Sequence, residues 1–241
     1  MGTTDGQEPP LVIAIDGPSA AGKGTVARKL AAHYRLAYLD TGSLYRATAL
    51  RLRRAGHPAG SDPAPAEAAL AARCVEPADL VDPELRHEDT GRLASRVAAI
   101  PEVRAALRDY QRDFARNPPK SALLPAEAGN GPSGRPRGAV LDGRDIGTVV
   151  WPEASIKLFV TARPEVRADR RLKELQDRGV AAIKARVLAD LVDRDSRDSE
   201  RAVSPLKPAE DAFVLDTSEM DANQVFDMAV QHISATLDQD I

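Results

Sequence analysis

Only one cysteine, Cys74, stands among the 241 residues. That excludes an internal disulfide and a cysteine-built zinc site, and it fits a reducing compartment. A basic excess is also lacking: the formal net charge is −3, which argues against a surface that grips duplex nucleic acid. No apolar run approaches the ~18–20 residues of a membrane span. The four histidines, His33, His57, His87 and His232, are scattered without an HExxH arrangement or acidic neighbours at metal-ligand spacing. The start, Met1 to Gly6, is too polar for a signal peptide, and Gly6 stands where a myristoylation signal wants Ser or Thr. The expectation is a soluble, cytoplasmic chain with no nucleic-acid and no membrane partner. What is present is ordinary for a globular protein: 43% hydrophobic and 29% charged residues. The length suffices for one generous α/β domain or two small ones.

Leu11-Val12-Ile13-Ala14-Ile15 is a short continuous apolar run, the pattern of a strand buried on both faces of a parallel sheet. Ala139–Leu141, Ile156–Val160 and Ala212–Leu215 read the same way, and Leu36–Leu39 more weakly. Helical patterns fall near 23–34, 43–55, 90–115 with a break at Pro101, 164–177, 180–195 and 222–237. Strands alternating with helices predict a parallel sheet with helices on its faces. Residues 56–88 carry Pro58, Pro63, Pro65, Pro77 and Pro83 and are too broken for one long helix. Residues 117–138 have the Gly/Pro density of a loop. The simplest organisation is one α/β core, 11–59 and 137–241, interrupted by a subdomain at 60–136 and preceded by a polar extension at 1–10.

The strongest signal follows the first strand: Gly17-Pro18-Ser19-Ala20-Ala21-Gly22-Lys23-Gly24-Thr25, then an amphipathic helix. Strand, glycine loop, Gly-Lys pair and helix in this order make a phosphate cradle. Backbone N–H groups surround the β-phosphate, the helix N-terminus adds its dipole, and Lys23 reaches the β/γ oxygens. The usual Ser or Thr after the lysine, a Mg²⁺ ligand, is replaced here by Gly24. Mg²⁺ is therefore expected to be held through ATP phosphates and water, with no protein metal ligand, and Thr25 to lie near the α-phosphate. Arg194, Arg197 and Arg201 interleave with Asp195 and Asp198 at helical spacing. Surface ion pairing and a multi-phosphate site explain that density equally well.

IDGPSAAGKGT, LDTGSLYRA, SRVAAIPEVRAAL, LDGRDIGTVVWPEA and RDSRDSERAVSPL occur in this order. Together they resemble the bacterial cytidylate kinases over most of 11–55 and 90–241. Three departures stand out. Ala20 replaces a usual glycine, 56–88 is shorter than the stretch where the family carries a small antiparallel sheet, and 117–138 is longer than usual.

The resemblance implies a three-layer P-loop kinase core, an inserted nucleoside-monophosphate-binding subdomain and a mobile lid within about 163–201. It implies transfer of the ATP γ-phosphoryl to CMP or dCMP, by a monomer. A related kinase acting on UMP or another monophosphate, or a non-catalytic ATP-binding switch, are the alternatives. By the same resemblance Arg46, Arg144 and Arg201 serve the acceptor phosphate, and Asp198, with Arg194 beside it, serves the ribose. Ser95, Arg104 and Asp145 face the base, and Thr41 positions the nucleotide unless it only caps a helix beginning near Ser43. Arg163, Arg167, Arg170 and Arg171 fall where the lid begins, with Arg170 and Arg171 placed on ATP. Lys23, Arg144 and Arg201 carry catalysis.

Overall fold

The computed structural model describes residues 10–58, 60–122 and 136–238. Five strands, β1 (Leu11–Asp16), β2 (Ala37–Asp40), β3 (Gly138–Asp142), β4 (Ile156–Thr161) and β5 (Phe213–Asp216), form one sheet in the order β2-β3-β1-β4-β5. All pairs are parallel. β1 lies in the middle, with Leu11 opposite Gly138 on one side and Ile13 opposite Ile156 on the other. Its side chains alternate between two cores: Val12 and Ala14 enter one, Ile13 and Ile15 the other. Burial on both faces is why this strand is apolar at every position up to Asp16.

The helices are α1 (Lys23–Tyr34), α2 (Thr41–Arg54), α3 (Pro65–Arg73), α4 (Glu88–Val97), α5 (Pro101–Arg116), α6 (Pro164–Asp177), α7 (Lys184–Ser199) and α8 (Ala222–Leu237). α1 and α8 cover one face of the sheet, where Leu30, Ala27, Val225 and Ile233 meet Ile15, Ile156 and Leu158. α2 to α5 cover the other, with Leu44, Leu93, Val103 and Leu107 at its centre. Each fully buried aliphatic side chain contributes about 1.5–3 kcal/mol, so the two cores hold the three layers together. α6 and α7 pack on each other through Ala168, Val187 and Leu191, with Ala20 against them.

One expectation is refined and one needs correction. The proline-rich stretch after His57 holds a helix, because Pro65 sits at the first helical position of α3 and so starts a helix instead of breaking one. Two single 3₁₀ turns, Pro77–Val81 and Pro83–Arg86, follow it, and no strand occurs among the described residues of 60–122. The helix expected at 180–195 runs instead from Lys184 to Ser199. Gly179, at φ 73°, ends α6 and lets the Val180 N–H close back on the Leu175 carbonyl. That closure occupies the residues where the next helix was expected. Most of the loop at 117–138, and nearly all of the extension at 1–10, lie outside the described residues.

All five strands end on one edge of the sheet, and four of them end in aspartate: Asp16, Asp40, Asp142 and Asp216. In an open parallel sheet this edge is where ligands bind.

A Cβ at Gly138 would lie 1.9 Å from the Leu11 carbonyl oxygen. Gly138→Ala must therefore push β3 from β1 and is expected to lose roughly 3 kcal/mol or more in urea unfolding.

Candidate active site

The loop after β1 is shaped by its glycines. A Cβ on Gly17, at φ 142°, would sit 2.0 Å from the Val160 carbonyl oxygen, so the loop starts in close contact with β4. Gly22 caps α1 at φ 95° and lends its first turn no side chain, leaving the amino end of the helix facing the crevice. Ala20 adopts φ 59°. The left-handed conformation costs a residue with a Cβ roughly 1–2 kcal/mol.

Lys23 is buried, 6% exposed, and its Nζ donates to the Pro18 carbonyl at 2.8 Å. Burial, followed by repulsion from Arg144, pushes its ammonium down to about 7, against the pull of Asp142 and Asp40. Asp142 is pushed up to about 6 by burial despite the attraction of Lys23. Its carboxylate would lie 3.3 Å from a Cβ on Gly24. Asp142 thus stands beside the position where the common loop signature carries a hydroxyl.

The turn after β3 brings the next group. Arg144 donates to Ser19 Oγ at 2.7 Å and to Asp198 at 3.1 Å, tying the glycine loop to α7. Asp145 is buried and forms a short ion pair with Arg104 of α5. The Arg104 guanidinium also donates to the Ala98 carbonyl and lies over the Tyr45 ring. A cavity of about 70 Å³ opens here, lined by Tyr45, Arg104, Arg108, Gln111, Asp145 and Ser204 among others. Asp145 is therefore no plain surface turn. Behind it, the Asp16 carboxylate accepts from the Ile146 and Gly147 amides, each at 2.8 Å.

Asp198 sits at the centre of three cations: Arg144 at 3.1 Å, Arg201 at 3.7 Å and Arg194 at 4.0 Å. Burial alone would raise its carboxyl, but these arginines hold it below the usual range. Burial and then Arg144 push Arg194 down to about 10. Arg201 is lowered too, chiefly by burial. Its Nε and Nη2 are buried with no hydrogen-bond partner. Buried guanidinium donors without acceptors keep hydrogen-bonding capacity that an anion could use.

Beside the glycine loop lies a second cavity of about 230 Å³, lined by Gly22, Thr25, Val26, Arg170, Thr217 and Met220 among others. Arg170 donates to both the hydroxyl and the carbonyl of Thr217. Arg167 is buried and reaches the Ser19 carbonyl and Asp195, whereas Arg163 is an exposed partner of Glu219. Arg171 does not join Arg170. It pairs with Glu174 instead, and its charge is felt at Arg46.

Arg46 donates to the Leu85 carbonyl at 2.9 Å and crosses α4 at Gly91, where a Cβ would stand 3.0 Å from its Nη1. Ser95 gives its hydroxyl oxygen to Arg197 of α7. Thr41 is not an N-cap: it is the first residue of α2, and its hydroxyl donates to the Asp142 carbonyl. The expected residues Lys23, Thr41, Arg104, Arg144, Asp145, Arg194, Asp198 and Arg201 are thus linked by a continuous set of contacts and charge interactions. Asp16, Tyr45, Asp142, Arg197 and Thr217 were not among the expected site residues. Asp16 and Asp142 had a signal, a carboxylate closing an apolar run. Thr217 had none, since its hydroxyl meets Ala21 from 196 positions away.

The Cytidylate kinase family model matches residues 13–122 and 133–235. The cytidylate kinase of Paramagnetospirillum magneticum is 56% identical over 220 residues, covering 91% of this chain and 95% of its own. That of Rhodospirillum rubrum is 53% identical, covering 91% and 95%. That of Methylocella silvestris is 51% identical over 229 residues, covering 95% and 96%.

Unfolding returns Lys23 to its ordinary value of 10.5, above the value of about 7 in the folded protein. A lysine lowered by folding destabilises the fold fully below about 7, and the penalty fades as the pH rises to 10.5. Lys23→Met should therefore be the more stable protein near pH 7, by about 1–2 kcal/mol in urea unfolding. The gain should shrink toward pH 10. A variant less stable than the parent at both pH values would show the lysine to be a structural tie.

Proposed function

Because the chain belongs to the cytidylate kinase family, we propose that it transfers the γ-phosphoryl of ATP to CMP or dCMP, giving CDP or dCDP and ADP. The observation that supports this reading is a glycine loop with buried Lys23 in the same charge network as Arg201, whose buried donors have no partner. A phosphoryl acceptor that already bears a phosphate needs a second such site, and the planar guanidinium fork suits it.

The backbone from Gly17 to Thr25 cradles the donor phosphates, and the 230 Å³ cavity with Arg170 and Thr217 receives the adenosine. Arg144 and Arg201, with Arg46, take the acceptor phosphate, and Asp198, beside Arg194, takes the ribose hydroxyls. Arg104 and Asp145 read the base at the 70 Å³ cavity. A cytosine amino group donates and its ring nitrogen accepts, which an arginine–carboxylate pair complements. Ser95 contributes through Arg197, and Thr41 by tying α2 to β3.

Residues 11–59 and 137–241 act as the core, 60–136 as the acceptor-binding insert, and α6 and α7 as a lid. Arg171, on the Arg46 side, belongs to closure over the transferred group. The lid excludes water, which would otherwise take the phosphoryl group. No general base is needed, because the attacking oxygen belongs to an ionised phosphate. Catalysis rests on in-line positioning and on charge neutralisation by Lys23 and the arginines.

Mg²⁺ fits the donor set. Asp142, a carboxylate beside Lys23 and Gly24, and the Thr25 hydroxyl would hold its water shell. When bound, Mg²⁺ offsets negative charge on the donor phosphates. The lone cysteine and the nucleotide substrates fit a cytoplasmic enzyme.

An ADP-release assay with CMP, dCMP, UMP and AMP tests the reading. CMP and dCMP should be the efficient acceptors; turnover on AMP alone, or no acceptor-stimulated turnover, would contradict it. Arg201→Lys keeps the charge but loses the fork. Its kcat/KM for CMP should fall about tenfold to a hundredfold, with KM for ATP little changed. Equal losses for both substrates would place Arg201 in the lid instead.

A further inference from the structure

We infer that Asp16 is a positioning residue for base recognition: its carboxylate oxygens hold the Ile146 and Gly147 amides and so fix the turn that presents Arg144 and Asp145. The inference rests on the proposed acceptor site. Asp16 is the last residue of β1, and Gly17 begins the glycine loop. One side-chain oxygen accepts from Ile146 and the other from Gly147, both at 2.8 Å.

These two amides open a tight turn of π type, Ile146–Val150, in which Val149 and Val150 donate back to the Asp145 carbonyl and Trp151 to that of Ile146. The first amides of such a turn have no partner within it. Of the common side chains, only a carboxylate presents two acceptors at the spacing of successive N–H groups. An asparagine would satisfy one amide and aim its own N–H₂ at the other.

The arrangement is costly. Asp16 is 5% exposed, and its carboxyl is pushed up to about 7, first by burial and then, against the two amides, by the charge of Asp145. A stabilising cap alone would not require a buried carboxylate so close to a second one. Fixing Asp145 does require it, because Arg104 of α5 pulls on Asp145 from the far side. Between the two anchors the carboxylate that faces the base has one position. Asp16 thereby sets the base-reading turn from the strand that also launches the donor loop.

Asp16→Asn is nearly isosteric and keeps the backbone of the loop. Steady-state kinetics with CMP, UMP and ATP test it, with circular dichroism to verify the fold. KM for CMP should rise about tenfold or more, and the preference for CMP over UMP should narrow by about tenfold, while KM for ATP moves less than about twofold. An unchanged preference, whatever the loss in kcat or stability, would make Asp16 merely structural. A rise in KM for ATP matching that for CMP would assign it to the donor loop.

If the variant does not fold, amide hydrogen exchange in the parent protein decides. The Ile146 and Gly147 amides should exchange slowly and slow further with CMP. Exchange at the rate of open loop amides, or indifference to CMP, would overturn the inference. The acceptor panel on the parent protein tests the substrate reading separately. Should another monophosphate prove preferred, the same ratio of variant to parent is measured with that acceptor.

Discussion

Buried positive charge that the fold does not neutralise is the constraint on which the rest of the structure depends. Arg144 lowers Lys23 and Arg194, Arg46 and Arg197 also press on Arg194, and Arg104 presses on Arg201. Asp142 and Asp198 answer only part of this, and both are themselves withdrawn from water. A crevice so arranged is under electrostatic strain until anions enter it. On the proposed reading that strain is the physical content of preorganisation: the charges would already be aimed where phosphate charge is to be met, so little reorganisation would be needed at the moment of transfer. The two apolar cores supply the stability that lets the strain persist.

The same trade recurs in the backbone. Ala20 sits in a conformation that glycine adopts freely, and Gly17 passes Val160 too closely for any side chain. Both lie where the chain must curl its N–H groups inward. Ala20 also packs beside the contacts of α6 and α7, so its methyl group is not idle. A glycine there would relax the backbone and lose that contact, which makes the alanine intelligible as a joint between the loop and the two helices above it.

Much of this was legible in the sequence, for reasons that can be named. A strand covered on both faces must be apolar along its length, as β1 and the Ala139–Leu141 run of β3 are, whereas β4 carries Lys157 at a half-buried position; the glycines and the lysine after β1 stand in the order that a phosphate cradle would need. The prolines of 56–88 do exclude one long helix, yet Pro65 starts a short one, because proline breaks a helix from inside but fits its first position. Arg170 and Arg171 are neighbours in sequence, yet successive helical residues point about 100° apart. One therefore meets Thr217 and the other Glu174. Arg197 stood among five interleaved charges with no partner assigned, because Ser95 lies 102 positions away. Chain-distant pairings of this sort leave no local pattern to read.

Arg46 shows how the segment before α4 is tied to the core. The residue belongs to α2, immediately after β2, but its guanidinium is held by the Leu85 carbonyl and lies on Gly91, both in the stretch between the two halves of the core. Arg197 from α7 reaches Ser95 on the same helix as Gly91, and Arg178 from the end of α6 reaches the Arg86 carbonyl. α4 and the turn before it are thus gripped from α2 by Arg46, Arg53 and Arg54, and from α6 and α7 by one arginine each. Any displacement of α4 would move the partner of Arg46 and break the α7 contact together. Neutral acceptors hold Arg46, Arg53, Arg178 and Arg197, so each of these grips is a net stabilisation of only about 1 kcal/mol, with charge-assisted bonds somewhat stronger. Contacts of that size can yield when an anion competes for the same guanidinium, as an acceptor phosphate would for Arg46. On the proposed reading, the segment around α4 is coupled to the acceptor site by bonds weak enough to be exchanged for substrate.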